Sequence, residues 1–441
     1  MSSLSGETAV HGTVVSRSCR VADVSYRAFL AEGDPPRIHW ADPDGLELSG
    51  SGAAASVTAS GADRFADVRE WATALFADAD HDGPAVARPR LLGGFAFHDD
   101  HEPAGTWTGF PAAQFVLPEY QLSSAGDETW LTVTRAGEDV DGGDVADALA
   151  EARETVEALP AMQPSGPRPG VESTTPTTGE AAWCEQVERA LARIDAGELR
   201  KVVLATALRA DLAGDVNPRD LLERLRQSYP SCFRFLVEPT GEAAFLGATP
   251  ELLVTLDGDA VETTALAGSV GRGDTPEADA ELAQRLRDSG KLRREQQLVT
   301  DAVADRLAAF GDVAVGDRSV RKLSNIQHLN TPITATVEDG AHVLDVAEAL
   351  HPTPAVGGLP PAAALDVIRE TESFDRGWYA APVGWFDADG DGTFAVGLRS
   401  ALAADRTVTM FAGNGIVADS DPAEEYEEVQ LKYRPILDEL E

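Results

Sequence analysis

Between residues 232 and 265 the chain carries four short apolar runs: Cys232-Phe-Arg-Phe-Leu-Val237, Ala243-Ala-Phe-Leu-Gly247, Glu251-Leu-Leu-Val-Thr-Leu256 and Ala260-Val-Glu-Thr-Thr-Ala265. Thr240-Gly241 and Asp257-Gly258-Asp259 separate two of these pairs. Turns this short join neighbouring strands only in antiparallel fashion, because a parallel pair needs a crossover of a dozen or more residues. Helical spacing interrupts the strand-like runs near 66–76, 220–227, 278–310, 343–350 and 361–370. The expected fold is therefore mixed α+β with large antiparallel sheets.

The C-terminal portion concentrates chemistry. Phe394-Ala-Val-Gly-Leu-Arg-Ser-Ala-Leu402 and Thr407-Val-Thr-Met-Phe-Ala-Gly-Asn-Gly-Ile-Val417 read as two strands about an Asp405-Arg406 turn, the second ending in a glycine loop at Gly413 and Gly415. Glycines there let backbone approach a ligand that a Cβ would push away. Ser420 or Asp421 is placed to cap a helix with Pro422 in its first turn. Along it Glu425, Glu428 and Lys432 recur at spacings of three and four and share one face. Arg399 and Lys432 suit a substrate carboxylate, and the glutamates suit a hard cation. Acids near a helix start also complement its dipole, so spacing alone leaves the glutamates with two readings.

Residues 1–165 read as an N-terminal α+β portion contributing to the sheets, and 166–179, rich in Pro, Gly, Ser and Thr, as a connector. Residues 180–441 form the portion that carries the candidate site. Thr177 with Glu180 looks like a capping box for a helix whose stripe is Trp183, Val187, Leu191 and Ile194 and which Gly197 closes. Next comes the strand Arg200-Lys-Val-Val-Leu-Ala-Thr-Ala-Leu208, where Lys201 shares a face with Val203 and Ala205. A desolvated lysine there serves as a base; a lysine at the strand mouth simply snorkels into water. Pro250 forces the chain extended before Glu251. In the helix 278–310, Glu295 falls on the buried stripe of Leu292, Val299, Val303 and Leu307, which is expensive without a cation or a charged partner. The acidic run Asp387-Ala-Asp-Gly-Asp-Gly392 imitates the start of a calcium loop, but Leu398 holds the twelfth position, so it is read as a hairpin turn.

Composition excludes several classes. With 74 acidic against 36 basic residues the formal charge is −38, which repels nucleic acid and anionic membranes. So dispersed an acidity fits a salt-rich cytoplasm, where screening shortens self-repulsion to a few ångströms. Only Lys201, Lys291, Lys322 and Lys432 are lysines. Cys19, Cys184 and Cys232 are too few and too far apart for a disulfide framework or a zinc site. No apolar run reaches the ~18 residues of a membrane helix, and a cytoplasmic protein is expected.

In order along the chain, Lys201-Val-Val-Leu, Thr249-Pro-Glu-Leu-Leu, Ala265-Leu-Ala-Gly-Ser, Arg294-Glu-Gln-Gln, the loop 351–360, Arg376-Gly-Trp-Tyr and Ala412-Gly-Asn-Gly-Ile-Val with Glu-Glu-Tyr-Glu-Glu resemble the chorismate-utilising enzymes. That family includes isochorismate, salicylate, anthranilate and aminodeoxychorismate synthases. The resemblance covers about residues 180 to 435; Gly93-Gly-Phe-Ala-Phe97 is a shorter N-terminal likeness. It implies two large antiparallel sheets facing each other, flanked by helices, with the site between them. It also implies Lys201 as the base that activates water and Glu251 as the acid that protonates the leaving hydroxyl. Glu295 and Glu428 would be magnesium ligands, with Glu425 as a possible further one. Gly268, Ser269, Tyr379, Arg399, Gly415 and Lys432 would hold the substrate. Two positions depart from the family pattern: Asn414 stands where Ala is usual, and Leu292 where some members carry an acid.

Lys201 favours water as nucleophile, since ammonia-using members resemble a Gln-bearing strand there. Ala267 replaces the attacking lysine of aminodeoxychorismate synthases. The resemblance thus implies a magnesium-dependent isochorismate synthase: water adds at C2 of chorismate and the C4 hydroxyl leaves, with magnesium clamping the ring carboxylate. Menaquinone supply is the expected destination and siderophore supply the second. A glutaminase subunit is not expected to be obligatory, and the protein is expected to be a monomer or weak dimer. Salicylate synthase, anthranilate synthase component I and, in another class, a non-catalytic chorismate-binding regulator are the alternatives.

Overall fold

The computed structural model describes residues 12–322, 326–338 and 340–441, without the side chains of Ala267, Ser269, Lys291 and Ile326. Among the described residues two sheets dominate, one of 13 strands and one of 10. The larger runs, in spatial order, through Val171–Pro176, Lys201–Leu212, Thr407–Ile416, Ser400–Ala404, Ala244–Thr249, Phe233–Glu238, Arg37–Ala41 and Leu46–Ser51, then four more N-terminal strands. The smaller centres on Ala260–Gly271, Leu252–Asp257, Gly392–Val396, Pro382–Phe386 and Leu91–Phe95. Strands from both ends of the chain share both sheets: Phe233–Glu238 pairs antiparallel with Arg37–Ala41, and Pro382–Phe386 with Leu91–Phe95.

The hairpins read from sequence form as antiparallel pairs. One hydrophobic core includes residues of both sheets; within it Trp107 packs edge-on to Phe245 at 5.4 Å and stacks on Phe411 at 5.1 Å, both of them on the larger sheet. Large rings bury the most area per residue ordered, which suits them to the space between sheets. No described helix is long and apolar enough to cross a membrane.

Several local expectations change. The run 394–402 is not one strand: Gly392–Val396 ends in the smaller sheet, and after Gly397-Leu-Arg399 the strand Ser400–Ala404 lies in the larger. Arg399 sits at the crossing with φ +47°, a left-handed conformation that costs a side-chain-bearing residue about 1 kcal/mol or more. Gly413 and Gly415 lie within the strand Thr407–Ile416, not in a loop. The helix Glu180–Asp195 has Gly179 at its N-cap. Thr177 does not cap it; its hydroxyl instead takes the Ala207 N–H at 3.0 Å and donates to the Ala207 carbonyl. Within the expected connector, Val171–Pro176 extends the larger sheet, because backbone pairing with Lys201–Leu212 needs no apolar side chains. The helix expected over 278–310 is two, Pro276–Asp288 and Gly290–Leu307. Between them Ser289 caps the second, its hydroxyl accepting the Leu292 N–H at 3.3 Å.

Candidate active site

The strand Lys201–Leu212 pairs antiparallel with Thr407–Ile416, which sets Val203 against Gly415. Lys201 is only 3% exposed, so it does not snorkel. The space its side chain occupies exists because position 415 has no Cβ: one built there would lie 2.7 Å from Lys201 Cε and 3.2 Å from Nζ. Nζ donates to Glu295 Oε1 at 3.2 Å. Glu295 thus meets a charged partner, as its place on the helix stripe requires. Arg376 braces this strand from behind. It is 1% exposed, gives Nη2 to the Val203 carbonyl at 2.7 Å and pairs with Glu372, whose Oε1 in turn accepts the Ala205 N–H at 2.8 Å.

Glu251 lies between Ala244–Thr249 and Leu252–Asp257, just past Pro250, with its carbonyl accepting the Val396 N–H at 3.0 Å. Burial pushes its carboxyl up to about 7, opposed by the charge of Lys201. A group so poised holds a proton near neutral pH and can release it during reaction.

Lys201 and Glu251 line one cavity of about 680 Å³ together with Gly268, Glu295, Tyr379, Arg399, Gly415, Glu425, Glu428 and Lys432. Ser269 lies on the same strand as Gly268, but its side chain is outside the described residues. Gly268 adopts φ +67°, and a Cβ there would press on Leu292 at 3.2 Å. Tyr379 is buried and stacks on Phe411 at 5.5 Å; desolvation raises its hydroxyl pKa, so it stays a neutral donor. Arg399 Nη1 is buried without a hydrogen-bond partner. An unpaired buried donor is costly, and a carboxylate in the cavity would remove that cost.

On the helix Pro422–Leu437, capped by Asp421, Lys432 pairs with Glu428 at 2.9 Å. Glu425 accepts an N–H from Asn414 at 2.9 Å, and its carboxyl is raised chiefly by burial. Among the described residues no group of three or more His, Cys, Asp or Glu is arranged to hold a metal ion. The donor chemistry nevertheless fits magnesium, which binds through one or two carboxylates and keeps several waters. Glu295 and Glu428 face the same cavity as hard oxygen donors, each held here by a lysine.

Sequence reasoning missed several lining residues, among them His328, Tyr229 and Phe411. His328, on the strand Ile326–Val337, pairs with Ser269 on the neighbouring antiparallel strand Ala260–Gly271, and burial, reinforced by Arg399 and Lys432, pushes it down to about 3, which leaves it neutral. Tyr229 lies 6.0 Å beneath the Arg399 guanidinium. Phe411 supplies an apolar wall. Each sits in an ordinary strand or turn pattern, so only a histidine in an otherwise apolar-and-threonine run could have signalled one of them.

A family model described as chorismate binding enzyme matches residues 3–441. The salicylate biosynthesis isochorismate synthase of Pseudomonas aeruginosa is 39% identical over 416 residues, 92% of this chain and 85% of that protein. The chain belongs to the chorismate-binding enzyme family. Isochorismate synthase MenF of Bacillus subtilis is 33% identical to this chorismate-binding enzyme, over 98% of this chain and 94% of its own. The solved structure of MenF, the menaquinone-specific isochorismate synthase from Escherichia coli, superposes with a TM-score of 0.83 at 27% identity, covering 97% of this chain and 95% of that one. The two facing sheets are thus the architecture of this family.

Proposed function

We propose that this chorismate-binding enzyme is an isochorismate synthase. The observation that carries the reading is the convergence of a buried amine, Lys201, and a buried carboxyl held up to about 7, Glu251, on one cavity. Isomerisation needs both: a base for the attacking water and an acid for the departing hydroxyl. Lys201 takes a proton from water as its oxygen bonds to C2. The ring double bonds shift, the C4–O bond breaks, and Glu251 supplies the proton that lets the hydroxyl leave as water. Each such group is typically worth roughly 10²- to 10⁴-fold in rate. Arg399, with its free Nη1, and Tyr379 would hold the substrate's carboxylates and enolpyruvyl group. Glu295 and Glu428 would hold Mg2+, which supplies charge stabilisation for a ring carboxylate when bound.

The product is proposed to serve menaquinone synthesis, a reading supported by the menaquinone-specific Escherichia coli structure. A cytoplasmic monomer or weak dimer that needs no glutaminase subunit completes the proposal. Incubation with chorismate and Mg2+ at high salt, followed by chromatography, tests the reading. Isochorismate alone is expected. Salicylate plus pyruvate, anthranilate on addition of ammonia, or no product would replace it with salicylate synthase, anthranilate synthase or a non-catalytic binder.

A further inference from the structure

Asn414 lies inside the strand Thr407–Ile416, paired with Leu204, and is 1% exposed. Its amide contacts the C-terminal helix. Nδ2 donates to the Glu425 main-chain carbonyl at 2.8 Å and to Glu425 Oε2 at 2.9 Å, while Oδ1 accepts from Lys432 Nζ. Lys432 Nζ also donates to the Gly413 carbonyl at 2.9 Å and pairs with Glu428 Oε1 at 2.9 Å. An ammonium has three N–H groups, and these three contacts use them all. Lys432 is therefore anchored from below and spends its remaining donor on Glu428, whose side chain is 52% exposed and otherwise free to choose rotamers. A neutral amide can donate to a carboxylate at one end and accept from an ammonium at the other. Aspartate lacks the donor, and alanine lacks both.

We infer that Asn414 is a positioning residue that orders the carboxylates of the C-terminal helix for a divalent cation, Glu425 directly and Glu428 through Lys432. The inference rests on the proposal that this cavity takes Mg2+ and deepens it. Groups that orient metal ligands from behind are typically worth 10- to 100-fold in affinity.

The experiment is calorimetric titration of Mg2+ into the full chain without substrate, for wild type, Asn414→Ala, Asn414→Asp and Lys432→Met, with thermal unfolding measured alongside. Asn414→Ala and Lys432→Met are expected to weaken Mg2+ about tenfold. Asn414→Asp, nearly isosteric, is expected to weaken it more than Asn414→Ala by setting a second negative charge against Glu425. Variants that bind Mg2+ as tightly as wild type, even with lowered unfolding temperatures, would reduce Asn414 to a packing residue and overturn the inference alone. A wild type that binds no Mg2+ would overturn the metal reading and the inference together.

Discussion

Replacing Gly415 by alanine tests whether the position of the Lys201 amine matters as much as its presence. The new Cβ would lie 2.7 Å from Lys201 Cε, against an ordinary carbon contact of about 3.5 to 4.0 Å, so the end of the side chain must retreat by about 1 Å. Misplacing a reacting group by that much can cost about 10²-fold, or about 2.7 kcal/mol of barrier. The backbone should tolerate the change, since Gly415 is an ordinary strand position, without the positive φ that disfavours a Cβ, and alanine loses less chain entropy than glycine. The assay is steady-state isochorismate formation with circular dichroism as a control: kcat down about 10²-fold with the fold intact. In a Lys201→Ala background the same substitution should add almost nothing, because its effect runs through that side chain. A Gly415→Ala enzyme within twofold of wild type, or an equal loss in the Lys201→Ala background, would refute the reasoning.

Glu251→Gln should lose roughly 10²- to 10⁴-fold in turnover. Its stability should move the opposite way: the folded carboxyl is raised from 4.5 to about 7, so the native state binds the extra proton, and wild-type stability falls as pH rises between those values. The variant should accordingly be more stable than wild type by up to about 3 kcal/mol above pH 7 and gain little near pH 4.5, as measured by denaturant unfolding at both pH values. Arg399→Gln should raise KM for chorismate at least tenfold, since it removes the buried Nη1 donor that has no hydrogen-bond partner in the protein; an unchanged KM would exclude Arg399 from the substrate site. With a formal charge of −38, the unfolding temperature should climb as KCl rises from about 0.1 M to about 1 M, where the Debye length shrinks from ~10 to ~3 Å, and a flat profile would remove the case for salt adaptation.

Much was legible along the chain because the signals are local. Period-two alternation and short Gly-Asp turns specify antiparallel hairpins wherever they occur, and the spacing of Glu425, Glu428 and Lys432 puts them on one helix face regardless of surroundings. Helix 343–350 formed where its pattern placed it. Local signals misled where backbone geometry was chosen by distant partners. Thr177 is spent on Ala207 rather than on a cap. The run 394–402 splits because its two halves pair with different sheets. Gly413 and Gly415 look like loop residues but serve a strand whose neighbour needs the room.

By itself the sequence determined the α+β class, the antiparallel pairing and the set of charged residues that carry chemistry, since each depends on contacts a few residues apart. Only the tertiary structure decided that Lys201 is buried against Glu295 rather than snorkelling and that Glu251 is dry enough to hold its proton near pH 7. It alone revealed that Asn414 links two of the helix's charges. Desolvation and ion pairing are properties of a cavity assembled from segments up to about two hundred residues apart, and no stretch of chain contains the neighbours that set them.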